Sequence, residues 1–322
     1  MLANNLWEMK DGAVDMTRNE LISLLEIAPD SEEALNLRRM ADAVSRKRFA
    51  NRRLLLGQIG VESHGCPAKC QFCAFAEGVF QTPPQKMTAA EVVERAKRFT
   101  GKGELDALFL MAMHDSGNTT LLELVRAVRQ VIPSHVKLVL NIGDCDLDVW
   151  RTFKAEGVSG AYHVLRLREG RNTQLTPDDR RRTIAAIREA GLDWFYCCEP
   201  VGPEHTNEEL ADAILLGNEF GCFQHAAMAR VNFPGLPLAS FGEISKARLA
   251  QLVAAVALAS EDNAELRSVA VHEPDLDSLK SGANSVYAEC GVNPRDLCAE
   301  TEKGRGRSVA DLNQMLSDAG WE

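Results

Sequence analysis

The sequence predicts an α/β protein, a (β/α)8 barrel of the TIM type, either closed or stopping short as an open barrel. Three observations lead there. From residue 54 onward, short β-rich runs alternate with longer amphipathic stretches, and strand–helix alternation demands a parallel sheet with helices outside it. Eight such units fit in the chain. Its 322 residues, 45% of them apolar, suffice for one barrel with a sizeable core.

The elements follow in order. Residues 1–50 read as a helical extension. Apolar residues recur at helical spacing over 21–27 and 34–46, with Pro29-Asp30-Ser31 between them and Ser31 as the N-cap. The strands are assigned to 54–62, 107–113, 137–142, 160–167, 194–198, 226–231, 268–272 and 285–288. The intervening helices are assigned to 89–99, 121–131, 147–156, 177–190, 207–220, 245–259 and 275–281. A charged loop and a short amphipathic helix, 308–320, close the chain. No Gly/Ser/Pro-rich linker interrupts this order. The expected organisation is therefore one domain over 1–322, with a helical extension (1–50), a barrel (51–289) and a tail (290–322).

Composition excludes some function classes. Lys plus Arg number 36 and Asp plus Glu 46, so 36 − 46 gives −10, a balance unsuited to broad nucleic-acid or anionic-membrane binding. The longest strongly apolar stretch, 252–259, is far short of the ~20 residues a membrane span needs. The first fifteen residues lack a basic start followed by an apolar run. The expected location is the cytoplasm, where nine cysteines read as metal or redox ligands rather than disulfides.

Three of those cysteines lie together in Cys66-Pro-Ala-Lys-Cys70-Gln-Phe-Cys73, directly after the first predicted strand. In a barrel, loops at the C-terminal ends of strands carry the chemistry. Thiolates hold iron–sulfur clusters, and a four-iron cluster with three thiolates keeps one iron open. Open positions mark catalytic sites and closed ones structural sites. A zinc knuckle would instead bring a fourth Cys or His on a second arm; no paired motif follows, and His64 is too near Cys66 to supply it. An iron–sulfur electron carrier would complete its cluster with a fourth thiolate.

The CxxxCxxC spacing, Phe72 before the last cysteine and the position after strand one resemble the radical S-adenosylmethionine (SAM) superfamily. That resemblance implies a [4Fe–4S] cluster on Cys66, Cys70 and Cys73, SAM bound at the open iron with Phe72 near its adenine, and a 5′-deoxyadenosyl radical that takes hydrogen from an unactivated C–H bond. It further implies an electron donor such as flavodoxin or ferredoxin.

Residues from about 20 to 290 resemble the biotin synthase-like branch, which includes biotin synthase, its related hydrogenase maturase, methylornithine synthase and the two-component lipoyl synthase. Ala161-Tyr-His-Val-Leu-Arg-Leu-Arg-Glu169 is similar to the maturase's fourth-strand segment. On that match Glu169 holds the ribose or methionine end of SAM, accompanied by Arg166. Asp179-Arg180-Arg181-Arg182 is similar to the helix whose arginine takes the SAM carboxylate, with Arg180 best placed; a guanidinium meets a carboxylate with two parallel N–H donors. Asn232-Phe-Pro-Gly235-Leu-Pro-Leu238 and Gly282-Ala-Asn-Ser-Val-Tyr287 resemble biotin synthase's turn after strand six and its last strand.

Two places depart from the pattern. Where the superfamily often carries Gly-Gly-Glu, this chain reads Met111-Ala-Met-His-Asp-Ser116, so His114, Asp115 or backbone groups would take over the cosubstrate amine. The places of biotin synthase's [2Fe–2S] ligands read Met111, Asn141, 195–198 and His272. An auxiliary cluster would then need other thiols: Cys145, one of Cys197 and Cys198 (Cys198 in the set taken forward), Cys290 and Cys298. These fall at or past the ends of predicted strands. Sulfur insertion into a small-molecule or carrier-bound acyl substrate is therefore the expected reaction; the alternative, if no such cluster exists, is a mutase or lyase reaction of the methylornithine synthase type. A zinc-stabilised binding protein is the alternative outside enzymes. Asn141, Asp144, Asp146, Glu199, His205, His225, His272 and Glu273 complete the candidate polar contacts, Asp146 also as a helix cap.

Overall fold

The computed structural model describes residues 16–101, 104–292 and 306–322. Two helices come first, α1 (Arg18–Glu26) and α2 (Glu32–Phe49). Ser31 caps α2, accepting from the Ala34 amide at 3.1 Å. Eight parallel strands then close a barrel. They are β1 (Leu54–Gly60), β4 (Ala107–Met111), β5 (Lys137–Asn141), β6 (Gly160–Tyr162), β7 (Asp193–Val201), β8 (Gln224–Ala229), β9 (Ser268–His272) and β10 (Ser285–Gly291). Neighbours in the barrel are neighbours in sequence, and β1 closes the ring by pairing with β10 from Leu54↔Ser285 to Gly60↔Gly291. A two-residue ribbon, β2 (Glu62–Ser63) with β3 (Gln85–Lys86), frames the loop after β1.

Between the strands run α3 (Ala89–Thr100), α4 (Asn118–Arg129), α5 (Leu147–Ala155), α6 (Pro177–Glu189), α7 (Asn207–Glu219), α8 (Lys246–Ala259) and the short α9 (Leu276–Leu279); α10 (Val309–Asp318) follows β10. Their starts are chemically marked. Thr88 with Glu91 and Thr206 with Glu209 form reciprocal capping boxes, and Pro177 sits in the first turn of α6 behind the Thr176 cap. Helix α8 is buried from Leu249 to Ala259, because it lies between the barrel wall and α2.

The closed barrel agrees with the predicted class, and six of its strands differ in length from the expectation, four of them for reasons visible in the structure. The fourth ends at Tyr162, not 167, because residues 163–167 leave the ladder to form the loop that carries Arg166 and Glu169. The fifth runs on to Val201, with an irregularity between Cys198 and Val201. The first stops at Gly60, where a Cβ would collide with the Val292 carbonyl. The last extends to Gly291, two residues past the expected limit of the barrel.

Side-chain alternation sets the lumen. On β7, Phe195 packs edge-on against Phe109 at 5.1 Å, and Glu199 meets Tyr162, so Phe195, Cys197 and Glu199 face inward. Tyr196 donates to the Ala213 carbonyl on α7, so Trp194, Tyr196 and Cys198 face the helices. Gln224, Ser268, Ser285 and Tyr287 join in one buried hydrogen-bonded layer across the lumen. It closes the barrel below the cavity described next.

Candidate active site

The loop after β1 is shaped by backbone bonds. The Cys66 amide donates to Phe75 O at 2.7 Å and the Glu77 amide to Cys66 O at 3.0 Å, while the Cys73 amide donates to Cys70 O at 3.0 Å. Lys69 takes a left-handed φ of 46° between the first two cysteines. Two further bonds fasten the loop across the barrel mouth: Gln71 N to Asn172 O at 2.9 Å and Gln174 N to Ala68 O at 2.8 Å. The thiol loop is thereby tied to the segment that runs from Glu169 into α6.

Cys66 and Cys70 are buried and Cys73 half-buried, packed with Ala68, Met113, Phe72, Phe75 and Leu175. Burial raises the Cys66 thiol. It pushes Cys70 up to about 12, with Arg166 pulling the other way and Cys73 and Glu169 adding to the rise. A bound metal reverses this, since coordinated thiols are deprotonated. Among the described residues no three His, Cys, Asp or Glu side chains converge closely enough for a single metal ion. Three soft donors on one buried loop suit a four-iron cube, whose thiolates stand wider apart.

All three cysteines line a cavity of about 250 Å³ at the barrel mouth. Its walls include Phe72, Met113, His114, Asn141, Arg166, Arg180 and Glu199. Glu169 lies behind the arginines. Its buried carboxylate accepts from the Arg166 amide at 3.0 Å and the Thr173 hydroxyl at 2.6 Å, and stands 3.5 Å from Arg180 Nε. Arg166 Nε stands 3.5 Å from Glu199, whose other oxygen accepts from Tyr162 at 2.7 Å. Burial would lower the Arg166 guanidinium, but Glu199 and Glu169 outweigh it and raise it. Arg180 is lowered by burial and by its neighbour Arg166.

Arg180 Nη1 donates to Asp144 at 3.2 Å, and His163 and Thr183 reach the same oxygen at 2.9 and 3.0 Å. Burial alone would raise the Asp144 carboxyl; the His163 bond and the Arg180 charge overcome it and hold it well below the usual carboxylate range. Arg180 Nη2 makes no hydrogen bond among the described residues. The cavity wall therefore presents a guanidinium edge with donors to spare, fit for a ligand carboxylate.

Several expectations are corrected here. Cys198 faces the outer helices, toward Arg248 on α8, so of the adjacent pair it is Cys197 that points into the lumen. Cys290 lies on the outward face of β10, near Arg98 and Phe99 of α3. Cys145 sits against Asn118 at 3.7 Å. These three are not brought together, and Cys298 lies outside the described residues. His225 turns outward to Ser260, and His205 binds Gly202 away from the cavity. Asp146 stands at the N-cap of α5 but makes no capping bond. In the Met111–Ser116 segment, the Met113 amide and the Ser116 hydroxyl bind Glu62, and Asp115 pairs with His64 at 2.9 Å. Asn141, His272 and Glu273 do line the cavity. His163 and Thr183 went unread in the sequence; the signal was their placement on the two elements after Asp144, which adjacent strands bring to one corner.

The sequence model of the Radical SAM superfamily matches residues 62–217. Those residues are a radical SAM domain. Curated relatives are biotin synthases of low identity. That of Corynebacterium jeikeium (strain K411) is 25% identical over 171 residues, covering 50% of this chain and 47% of that protein. That of Mycobacterium leprae (strain TN) is 22% identical over 273 residues, covering 80% and 76%. The chain spans about half the length of the first curated relatives it matches. The barrel also superposes on methylornithine synthase (PylB), with a TM-score of 0.81 at 17% identity over 100% of this chain and 97% of that one. The hydrogenase maturase HydG of Carboxydothermus hydrogenoformans gives 0.77 at 16% identity over 96% and 76%. At these identities the structural matches speak for the fold. The biotin synthase relatives are consistent with the branch read from the sequence. No helix among the described residues is long and apolar enough to cross a membrane.

Proposed function

We propose that this chain cleaves SAM reductively and uses the resulting radical on a small polar substrate, with rearrangement or fragmentation rather than sulfur insertion as the outcome. The observation that carries this is the single cavity shared by Cys66, Cys70, Cys73, Arg166 and Arg180. Cys66, Cys70 and Cys73 would hold the [4Fe–4S] cluster. Arg180 would take the SAM carboxylate, Phe72 would flank the adenine, and Glu169 would hold Arg166 and Arg180 in place as their shared countercharge. When bound, cluster and SAM supply a 5′-deoxyadenosyl radical that removes hydrogen from an unactivated C–H bond.

The substrate side is formed by Tyr162, Glu199 and His272, deeper in the same cavity. These groups favour a polar small molecule over an acyl chain, although a carrier-bound substrate was the sequence expectation. Among the described residues, the outward faces of Cys198 and Cys290 weigh against a second cluster as a sulfur source. A low-potential one-electron carrier of the flavodoxin or ferredoxin type would reduce the cluster, and thiolate ligation accords with the reducing cytoplasm.

Iron and sulfide content after anaerobic reconstitution tests the reading. Wild type should hold about four irons, and the triple Cys66/Cys70/Cys73→Ala variant none. Iron and sulfide retained by the triple variant would restore the second cluster and sulfur insertion. One zinc and no iron in wild type would end the radical reading.

A further inference from the structure

We propose that Asp144 is the positioning residue for Arg180, holding the guanidinium so that its unbonded Nη2 edge faces the cosubstrate. The inference rests on the reading of Arg180 as the contact for the SAM carboxylate.

Three donors from three directions converge on one oxygen, Asp144 Oδ1: Arg180 Nη1 at 3.2 Å, His163 Nε2 at 2.9 Å and Thr183 Oγ1 at 3.0 Å. Each comes from a fixed element. Thr183 lies one turn beyond Arg180 on the same face of α6. His163 follows β6, and its carbonyl is held by the Trp194 indole at 2.8 Å. Asp144 itself follows β5, next to β6 in the ring. His163 stands between a carboxylate and an N–H donor, so its Nε2 carries the proton and donates to Asp144. Its 3.1 Å approach to Arg180 Nη1 then reflects a shared acceptor rather than a bond between the two.

The surroundings explain why Arg180 needs such an anchor. The side chain is 4% exposed, and its Nε faces Glu169 at 3.5 Å without a hydrogen bond. Arg166, a second cation, lines the same cavity. Without Asp144 the guanidinium would retain a longer contact on one edge and a repelling neighbour. Asp144 fixes Nη1, and planarity of the guanidinium then fixes Nη2. Removing Asp144 also removes a negative charge near the ligand's carboxylate, which by itself would tighten that contact. The proposal holds that lost orientation outweighs that gain.

The test compares two probes on the reconstituted protein by calorimetry. S-adenosylhomocysteine carries the amino-acid carboxylate and 5′-methylthioadenosine lacks it. Asp144→Ala, and Asp144→Asn as the variant closest in shape, should each weaken S-adenosylhomocysteine binding about tenfold and leave methylthioadenosine binding unchanged. In an Arg180→Ala background, Asp144→Ala should add no further loss. Wild-type affinity for S-adenosylhomocysteine in both Asp144 variants, equal weakening of both probes, or additive losses would each overturn the positioning role while leaving Arg180 as the contact. An Arg180→Ala variant that binds S-adenosylhomocysteine like wild type would overturn the underlying reading, and the proposal with it.

Discussion

At the scale of single residues, the site depends on compensated charge. Glu169 is the shared neighbour of two buried guanidiniums, accepting from the Arg166 amide and facing Arg180 Nε at 3.5 Å. Truncating one partner of a buried ion pair costs more than the pair contributes, because the other charge remains. Glu169→Gln keeps the shape and removes the charge, so it should destabilise the protein by about 2 kcal/mol. A denaturation midpoint equal to that of wild type would show that Asp144 and Glu199 suffice without it. How far sequence reading reached is clear at this scale. The gathering of Cys66, Cys70 and Cys73 on one loop was legible because their spacing is local. Arg180 and Arg166 line one cavity because a recognised segment carried them there in order, whereas Glu169, expected at the cosubstrate, is buried behind them. The convergence on Asp144 was not legible, since it joins β5, β6 and α6 through side chains, and nothing in the spacing of 144, 163 and 183 announces it. The thiols at 198 and 290 were misjudged for a related reason. Alternation along a strand says that neighbours point opposite ways, but only packing shows which way is in.

At the scale of elements, the helices are specified by their first turns. Thr88 accepts from the Glu91 amide while the Glu91 carboxylate accepts from Thr88 N at 2.7 Å. Those bonds hold the Glu91 carboxyl below its ordinary range. Thr88→Ala removes half of the box, and the melting temperature should fall by about 2 °C. An unchanged transition in differential scanning calorimetry would mean that packing of α3 on β1 suffices to start the helix. Most elements came out within three residues of their expected bounds, since amphipathic period and cap chemistry are local signals. The exception is β6. Residues 163–167 have the composition of a strand, yet the Leu167 amide pairs with Glu199 O while the side chains of 166 and 169 turn to the site. A β-rich run at a barrel mouth can thus be recruited as a functional loop, because its apolar residues are still buried there.

At the scale of the whole molecule, buried histidines tie stability to pH. Burial lowers His163 to about 4, with Arg180 pushing the same way, and burial lowers His225 to about 3. Both therefore remain neutral in the folded chain where the unfolded chain, with an ordinary value of 6.5, binds protons. The stability they confer is complete above pH 6.5 and is lost as the pH falls from there toward 4, by roughly 3 kcal/mol for each histidine. Denaturation midpoints should decline over that window, and His225→Gln should flatten the decline; a midpoint constant from pH 7 to 4.5 would contradict this account. A different consequence follows from the seam between β1 and β10, and it concerns time. The thiol loop belongs to an early stretch of the chain, but its seat is assembled late. The loop is stitched to residues 172–174, and the strand it follows has β10 as one of its two partners. During synthesis the three cysteines leave the ribosome long before the barrel can close around them. On the reading proposed above, the seat for a cluster therefore exists only once the fold is finished.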